Sequence, residues 1–276
     1  FTGVTTKPVV SLLRNFSAPV NLEFNYSDKE LAFLMQFEPN GFNQWQATQT
    51  LLDRILLNDH VADIYIQAMK NTLPDLIQKD PLLASRLFDV PAEGYLGSRI
   101  DVRYNPVQVQ EKRNALLETL ARELGSFCKD TYLELDPDNQ KEFSQAMGVR
   151  ALKNIMLMMM ARQGDVDAFE LAHQQYQTTR NMSERLGALK VLVWNDAPQA
   201  KEALADFYTR FKDEALSMDQ WFMVQAAHPE ATAATIAYLT SHPDYDLTVP
   251  NRIRSVSGGL NANPVNTWSF GVQHFI

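Results

Sequence analysis

Two guanidinium groups two residues apart form the most suggestive polar pair in the sequence, within Pro250-Asn251-Arg252-Ile253-Arg254-Ser255. An Arg fork binds a carboxylate bidentately, so Arg252 and Arg254, with Asn251 beside them, are suited to a peptide carboxylate or to an acidic side chain of a neighbouring domain. The interdomain salt bridge is the simpler expectation, and a cavity-facing role is the functional one. Elsewhere the residue types for catalysis are present without the spacing. Zinc hydrolysis needs ligands such as His-Glu-x-x-His, because i and i+4 share a helix face. His60, His173, His228, His242 and His274 are scattered, with no two in helical reach. Cys128 lies beside Phe127 and Lys129 with no nearby His, and no Gly-x-Ser-x-Gly elbow occurs. Ser257-Gly258-Gly259 is too short to cradle a phosphate. No catalytic residue and no metal ligand is therefore expected.

Two further groups invite chemistry and are better explained by packing. The thioethers of Met156-Leu157-Met158-Met159-Met160 are adaptable and polarizable, but Ile155 and Ala161 make the segment apolar all round, which predicts a buried helix. Asp136, Asp138, Asp165 and Asp167 lack the alternating ligands, mid-loop Gly and terminal Glu of a calcium loop, so loop and cap roles are expected.

The composition narrows the classes. Hydrophobic residues make up 45% of the 276 and charged residues 21%, enough for a real core. A net charge of −8 argues against a phosphate backbone as partner. The longest strongly apolar run, Ile155 to Ala161, falls far short of the roughly 20 residues of a membrane span, and the first residues carry no signal-peptide pattern. A single cysteine excludes an internal disulfide framework and fits a reducing, cytoplasmic setting. Both ends read as cut, and the chain as a fragment.

The elements that must position these residues are helical. Residues 1–26 are extended in character: Pro19-Val20-Asn21-Leu22-Glu23-Phe24 alternates at period two and predicts the end of a small β domain. From residue 27 to 276, helix starts recur. Ser27 to Glu30 and Ser217 to Gln220 read as capping boxes; Asp80-Pro81, Asn105-Pro106 and His228-Pro229 place Pro at a first helical position; Asn181 with Glu184 marks another start. Apolar stripes follow, as in Leu116, Leu117, Leu120 and Leu124, in Met182, Leu186, Leu189 and Val193, and in Ala200, Leu204, Phe207 and Phe211. Helices of about 10 to 20 residues with short connections predict an all-α fold: an irregular superhelix of antiparallel pairs, HEAT- or armadillo-like, with a short β remnant before it.

Several stretches together resemble the C-terminal portion of bacterial aminopeptidase N, of the gluzincin zinc exopeptidase family. They are Pro8-Val9-Val10-Ser11-Leu12-Leu13-Arg14-Asn15-Phe16-Ser17-Ala18-Pro19-Val20; Asn181-Met182 with Leu186, Ala188 and Leu189; Met218-Asp219-Gln220-Trp221-Phe222 with Gln225-Ala226; and Asn251-Arg252-Ile253-Arg254-Ser255 with Asn263-Pro264. The pattern departs from the family after Asn266, at Thr267-Trp268-Ser269-Phe270.

The resemblance implies a four-domain, broad-specificity zinc aminopeptidase removing N-terminal residues from peptides. This chain would hold the end of its third, small β domain and the larger part of its helical fourth. Zinc, its ligands and the catalytic Glu would lie in the parent enzyme, outside this chain, which alone would be inactive. The helical domain would close over the active site as a lid and channel, with the N-terminal and catalytic domains of the same polypeptide and peptide substrates as its partners. Asn251, Arg252 and Arg254 would face that chamber. The competing expectation is a free-standing helical-repeat scaffold that holds a peptide or protein on a concave face.

Overall fold

The computed structural model describes residues 2–20, 22–100, 105–262 and 265. Its regular elements, in chain order, are α1 (Asp28–Phe37), α2 (Gly41–Asn58), α3 (Asp63–Lys79), α4 (Pro81–Arg86), α5 (Glu93–Ser98), α6 (Pro106–Glu134) and α7 (Phe143–Gln163). There follow α8 (Ala168–Thr178), α9 (Met182–Trp194), α10 (Ala200–Phe211), α11 (Ala215–Ala226), α12 (Ala233–Thr240) and α13 (Pro250–Asn261). The all-α expectation holds, with α6 longer than anticipated. Two compact units divide the chain: residues 1–92 with 136–152, and 93–135 with 153–276.

Several starts follow from local chemistry. Ser27 and Glu30 form the full capping box, each side chain accepting from the other residue's backbone N–H. Asp80 accepts from the Leu83 N–H at 2.9 Å ahead of Pro81, and Asn105 accepts from Val107 at 3.0 Å ahead of Pro106. Asn181 accepts from Ser183 at 2.9 Å.

Two expected starts are corrected. Ser217 is not an N-cap: α11 begins a turn earlier, because the Glu214 carbonyl already accepts from the Met218 N–H at 2.9 Å. The Ser217 hydroxyl donates back to the Glu214 carboxylate at 3.1 Å. His228-Pro229 opens no helix, since the Ala231 N–H closes a turn on the His228 carbonyl at 2.9 Å and Thr232 caps α12 instead.

The β remnant is the third difference. Among the described residues no strand forms. A strand is defined by its ladder, and the described residues of the segment before α1 form none. Side chains tether the segment instead. Asn43 Nδ2 donates to the Leu12 carbonyl at 2.7 Å, Tyr26 donates to the Val10 carbonyl at 2.9 Å, and Arg14 pairs with the buried Glu38 at 3.1 Å. Leu13, Asn15 and Phe16 all adopt positive φ, a strained path that these tethers hold in place.

In the first unit α1 packs on α2 and α3, burying Leu31, Met35, Leu51, Leu52, Tyr65 and Met69 to 1% exposure or less. Fully burying such a side chain contributes about 1.5–3 kcal/mol. The Tyr65 hydroxyl, inside that core, donates to the Leu87 carbonyl at 2.7 Å.

In the second unit consecutive helices pair: α8 with α9, α9 with α10, α10 with α11, and α11 with both α12 and α13. The methionine run behaves as the packing expectation required, with Met156, Leu157, Met159 and Met160 buried. No helix among the described residues is long and apolar enough to cross a membrane.

Candidate functional site

The residues singled out on α13 do not act together. Arg252 turns inward, where its Nε donates to Asp219 Oδ1 on α11 at 2.7 Å and its Nη1 to the Asp244 carbonyl. Its guanidinium also lies 5.0 Å from the centre of the Phe222 ring. Only 9% of the Arg252 side chain and 12% of the Asp219 side chain are exposed, so the pair is a buried, charge-assisted clamp between α11 and α13. The pair lies wholly within the second unit, and α11 and α13 are both part of it.

Asn251 and Arg254 point the other way. They and Ser255 form one wall of a cavity of about 390 Å³. Leu216, Ser217, Asp219, Gln220 and Met223 of α11 form the facing wall, and Met182 at the start of α9 closes it. The floor is thioether and aliphatic, with one carboxylate, one guanidinium, two amides and two hydroxyls around it. This is the usual makeup of a pocket that binds by shape and orients by a few polar contacts. Close approach of the walls depends on Gly259: a Cβ there would stand 2.7 Å from the Ala226 Cβ and 3.0 Å from the Ala227 nitrogen.

Beside the site stands an aromatic group that the sequence reading left aside. Tyr208, Trp221 and Phe222 surround His242 at ring separations of 5.2 to 5.6 Å. Tyr208 donates to Asp244 at 2.6 Å, and that hydrogen bond raises the phenol's pKa. His242 Nδ1 accepts from the Asp244 N–H at 3.2 Å, which fixes the loop leading to α13.

The remaining chemistry-bearing residues are spent locally. His60 Nδ1 meets Asp28 at 2.6 Å, His173 meets Gln177 at 2.9 Å, and His228 accepts from the Glu230 N–H at 3.0 Å. His274, like Asn263, Pro264 and 266–270, lies outside the described residues. Cys128 is fully buried, and burial pushes its thiol up to about 12. Asp136 accepts from the Asp138 and Asn139 N–H groups, and Asp165 and Asp167 pair with Lys129 at 3.3 and 2.6 Å. Among the described residues no three His, Cys, Asp or Glu side chains converge as metal ligands, so these residues do not fit a zinc ion. What the site can do is bind and orient a ligand.

The structure places Asn251 and Arg254 on the lining of this cavity with Asp219, Met182 and Met223, which the sequence did not single out. The signal for Asp219 was present: an acidic residue between Met218 and Trp221 on an apolar helix rarely stays buried without a cationic partner.

Comparison with known proteins follows from this geometry. A family described as a domain of unknown function (DUF3458_C), ARM repeats, matches residues 28–269. Aminopeptidase N of Escherichia coli strain K12 is 31% identical over 280 residues, covering 96% of this chain and 32% of that protein. Aminopeptidase N of Caulobacter vibrioides is 31% identical over 275 residues, 95% of this chain and 31% of that protein. A crystal structure of Legionella pneumophila aminopeptidase A in complex with aspartic acid superposes with a TM-score of 0.83 at 27% identity, covering 98% of this chain and 33% of that one. The chain thus spans about a third of the length of the curated relatives it matches. The match over most of its length shows that the chain belongs to the DUF3458_C family of ARM-repeat domains.

Proposed function

We propose that this chain is the C-terminal helical part of a zinc-dependent, broad-specificity aminopeptidase, and that it restricts substrate access while another part of the polypeptide does the hydrolysis. The supporting observation is similarity over 96% of this chain to about a third of aminopeptidase N.

In this reading the cavity beside α13 belongs to the peptide path. Asn251 and Arg254 orient the carboxylate side of a bound peptide, and Arg252 holds the wall that carries them. Two measurements test it. The reading frame upstream of Phe1 should encode His-Glu-x-x-His roughly 200 to 300 residues earlier, a spacing set by ordinary domain sizes. A frame without that motif would favour the free-standing peptide-binding scaffold. In the full-length protein, Arg254→Ala should raise KM for short peptides with a free C-terminus, and more so at low salt. Unchanged kinetics at both salt levels would remove Arg254 from the path.

A further inference from the structure

The clamp between α11 and α13 uses only part of Asp219. Its Oδ1 is held by Arg252, whereas no hydrogen bond reaches Oδ2 among the described residues, and the side chain forms part of the cavity wall. A buried ion pair by itself says little about stability, since two apolar residues would pack as well. An apolar pair would not leave a charged acceptor in the wall. Arg254, exposed on the facing wall, has no ion-pair partner among the described residues. Asp219 and Arg254 line the same cavity, so the two charges act on the same ligand.

We propose that Asp219 Oδ2 and Arg254 form a two-point site for the C-terminal residue of a peptide, Asp219 accepting its backbone N–H and Arg254 binding its carboxylate. The inference rests on the cavity reading above and goes beyond it by naming the acceptor. Arg252 is the positioning residue. It neutralises Asp219 from behind and fixes Oδ1, so the carboxylate neither swings onto Arg254 nor repels the incoming carboxylate. The hydrogen bond of Tyr208 to Asp244 and the edge-on and tilted ring contacts around His242 hold the other side of the Arg252 guanidinium in register. Met182, Leu216 and Met223 supply apolar lining beside the donor and acceptor, which suits an aliphatic side chain between them.

The test is titration calorimetry of the whole chain at low salt with three probes: N-acetyl-alanyl-leucine, its C-terminal amide, and the acid methylated on the leucine nitrogen. The acid should bind best, with the amide and the N-methyl acid each about tenfold weaker. Asp219→Leu should abolish discrimination against the N-methyl probe yet keep the preference for acid over amide. Arg252→Met should lose the acid preference, as the freed Asp219 captures Arg254, and the double variant Arg252→Met/Asp219→Leu should recover it. A structural role alone would weaken all three probes equally in every variant and overturns the proposal. Equal binding of acid and amide by the unaltered chain removes the cavity reading itself. Discrimination between those two with equal binding of the N-methyl probe removes only the role of Asp219.

Discussion

At the scale of single residues, the sharpest contrast is between charges held by neighbours and charges left to solvent. Glu30 is half-buried, and its carboxylate is held down to about 2 by the Ser27 backbone N–H and hydroxyl, with Lys7 adding to it. The unperturbed value is 4.5, so the folded chain binds this proton less readily than the unfolded one. The stabilisation is complete above pH 4.5 and is lost as pH falls through about 2. Glu30→Gln should therefore melt earlier at neutral pH, and the difference in Tm should close as the pH is lowered to about 2. A constant difference in Tm across that range would show that the amide caps equally well. Ser27 and Glu30 were legible from sequence because a capping box is local. The Arg252 clamp was not, because its partner Asp219 lies 33 residues away and only the packing of α11 on α13 brings them together.

At the scale of elements, the helices follow their punctuation where a side chain caps its own turn and depart from it where a neighbour decides. Asp80, Asn105 and Asn181 start helices as read, whereas Ser217 lost the cap position to Glu214. The adjacent glycines of α13 separate packing from propensity. At Gly259 a Cβ meets the α11 backbone, and Gly259→Ala should push the two helices apart at a cost of about 1–3 kcal/mol. At Gly258 the nearest atom is the Met223 Cε at 3.5 Å, an ordinary contact, so Gly258→Ala should be neutral or stabilise by about 0.5–1 kcal/mol through helix propensity. Urea denaturation of both variants checks this, and equal effects would refute the close approach of α13 and α11. The segment before α1 shows the opposite limit. Its alternation carries strand character, but strand formation needs a partner that a single segment does not supply.

For the whole molecule, each of the two units carries its own core, and the candidate cavity lies entirely in the second. No cluster of metal-ligating side chains occurs among the described residues. If the proposed division of labour holds, aminoacyl chromogenic amides with added zinc should be hydrolysed by the isolated chain no faster than by buffer, and by the full-length protein at enzymatic rates. Zinc-dependent turnover by the isolated chain would overturn the proposed division of labour.

The sequence by itself determined the helical class, the helix starts at Ser27, Asp80, Asn105 and Asn181, and the buried methionine helix, because periodicity and capping act within a few residues of one another. It also brought Asn251, Arg252 and Arg254 forward together. Only the tertiary structure decided that they part, with Arg252 in a buried clamp and its two neighbours on a cavity wall. The reason is geometric: residues one and two apart on a helix point in different directions while residues three apart share a face, and which face is inside depends on the helix packed against it.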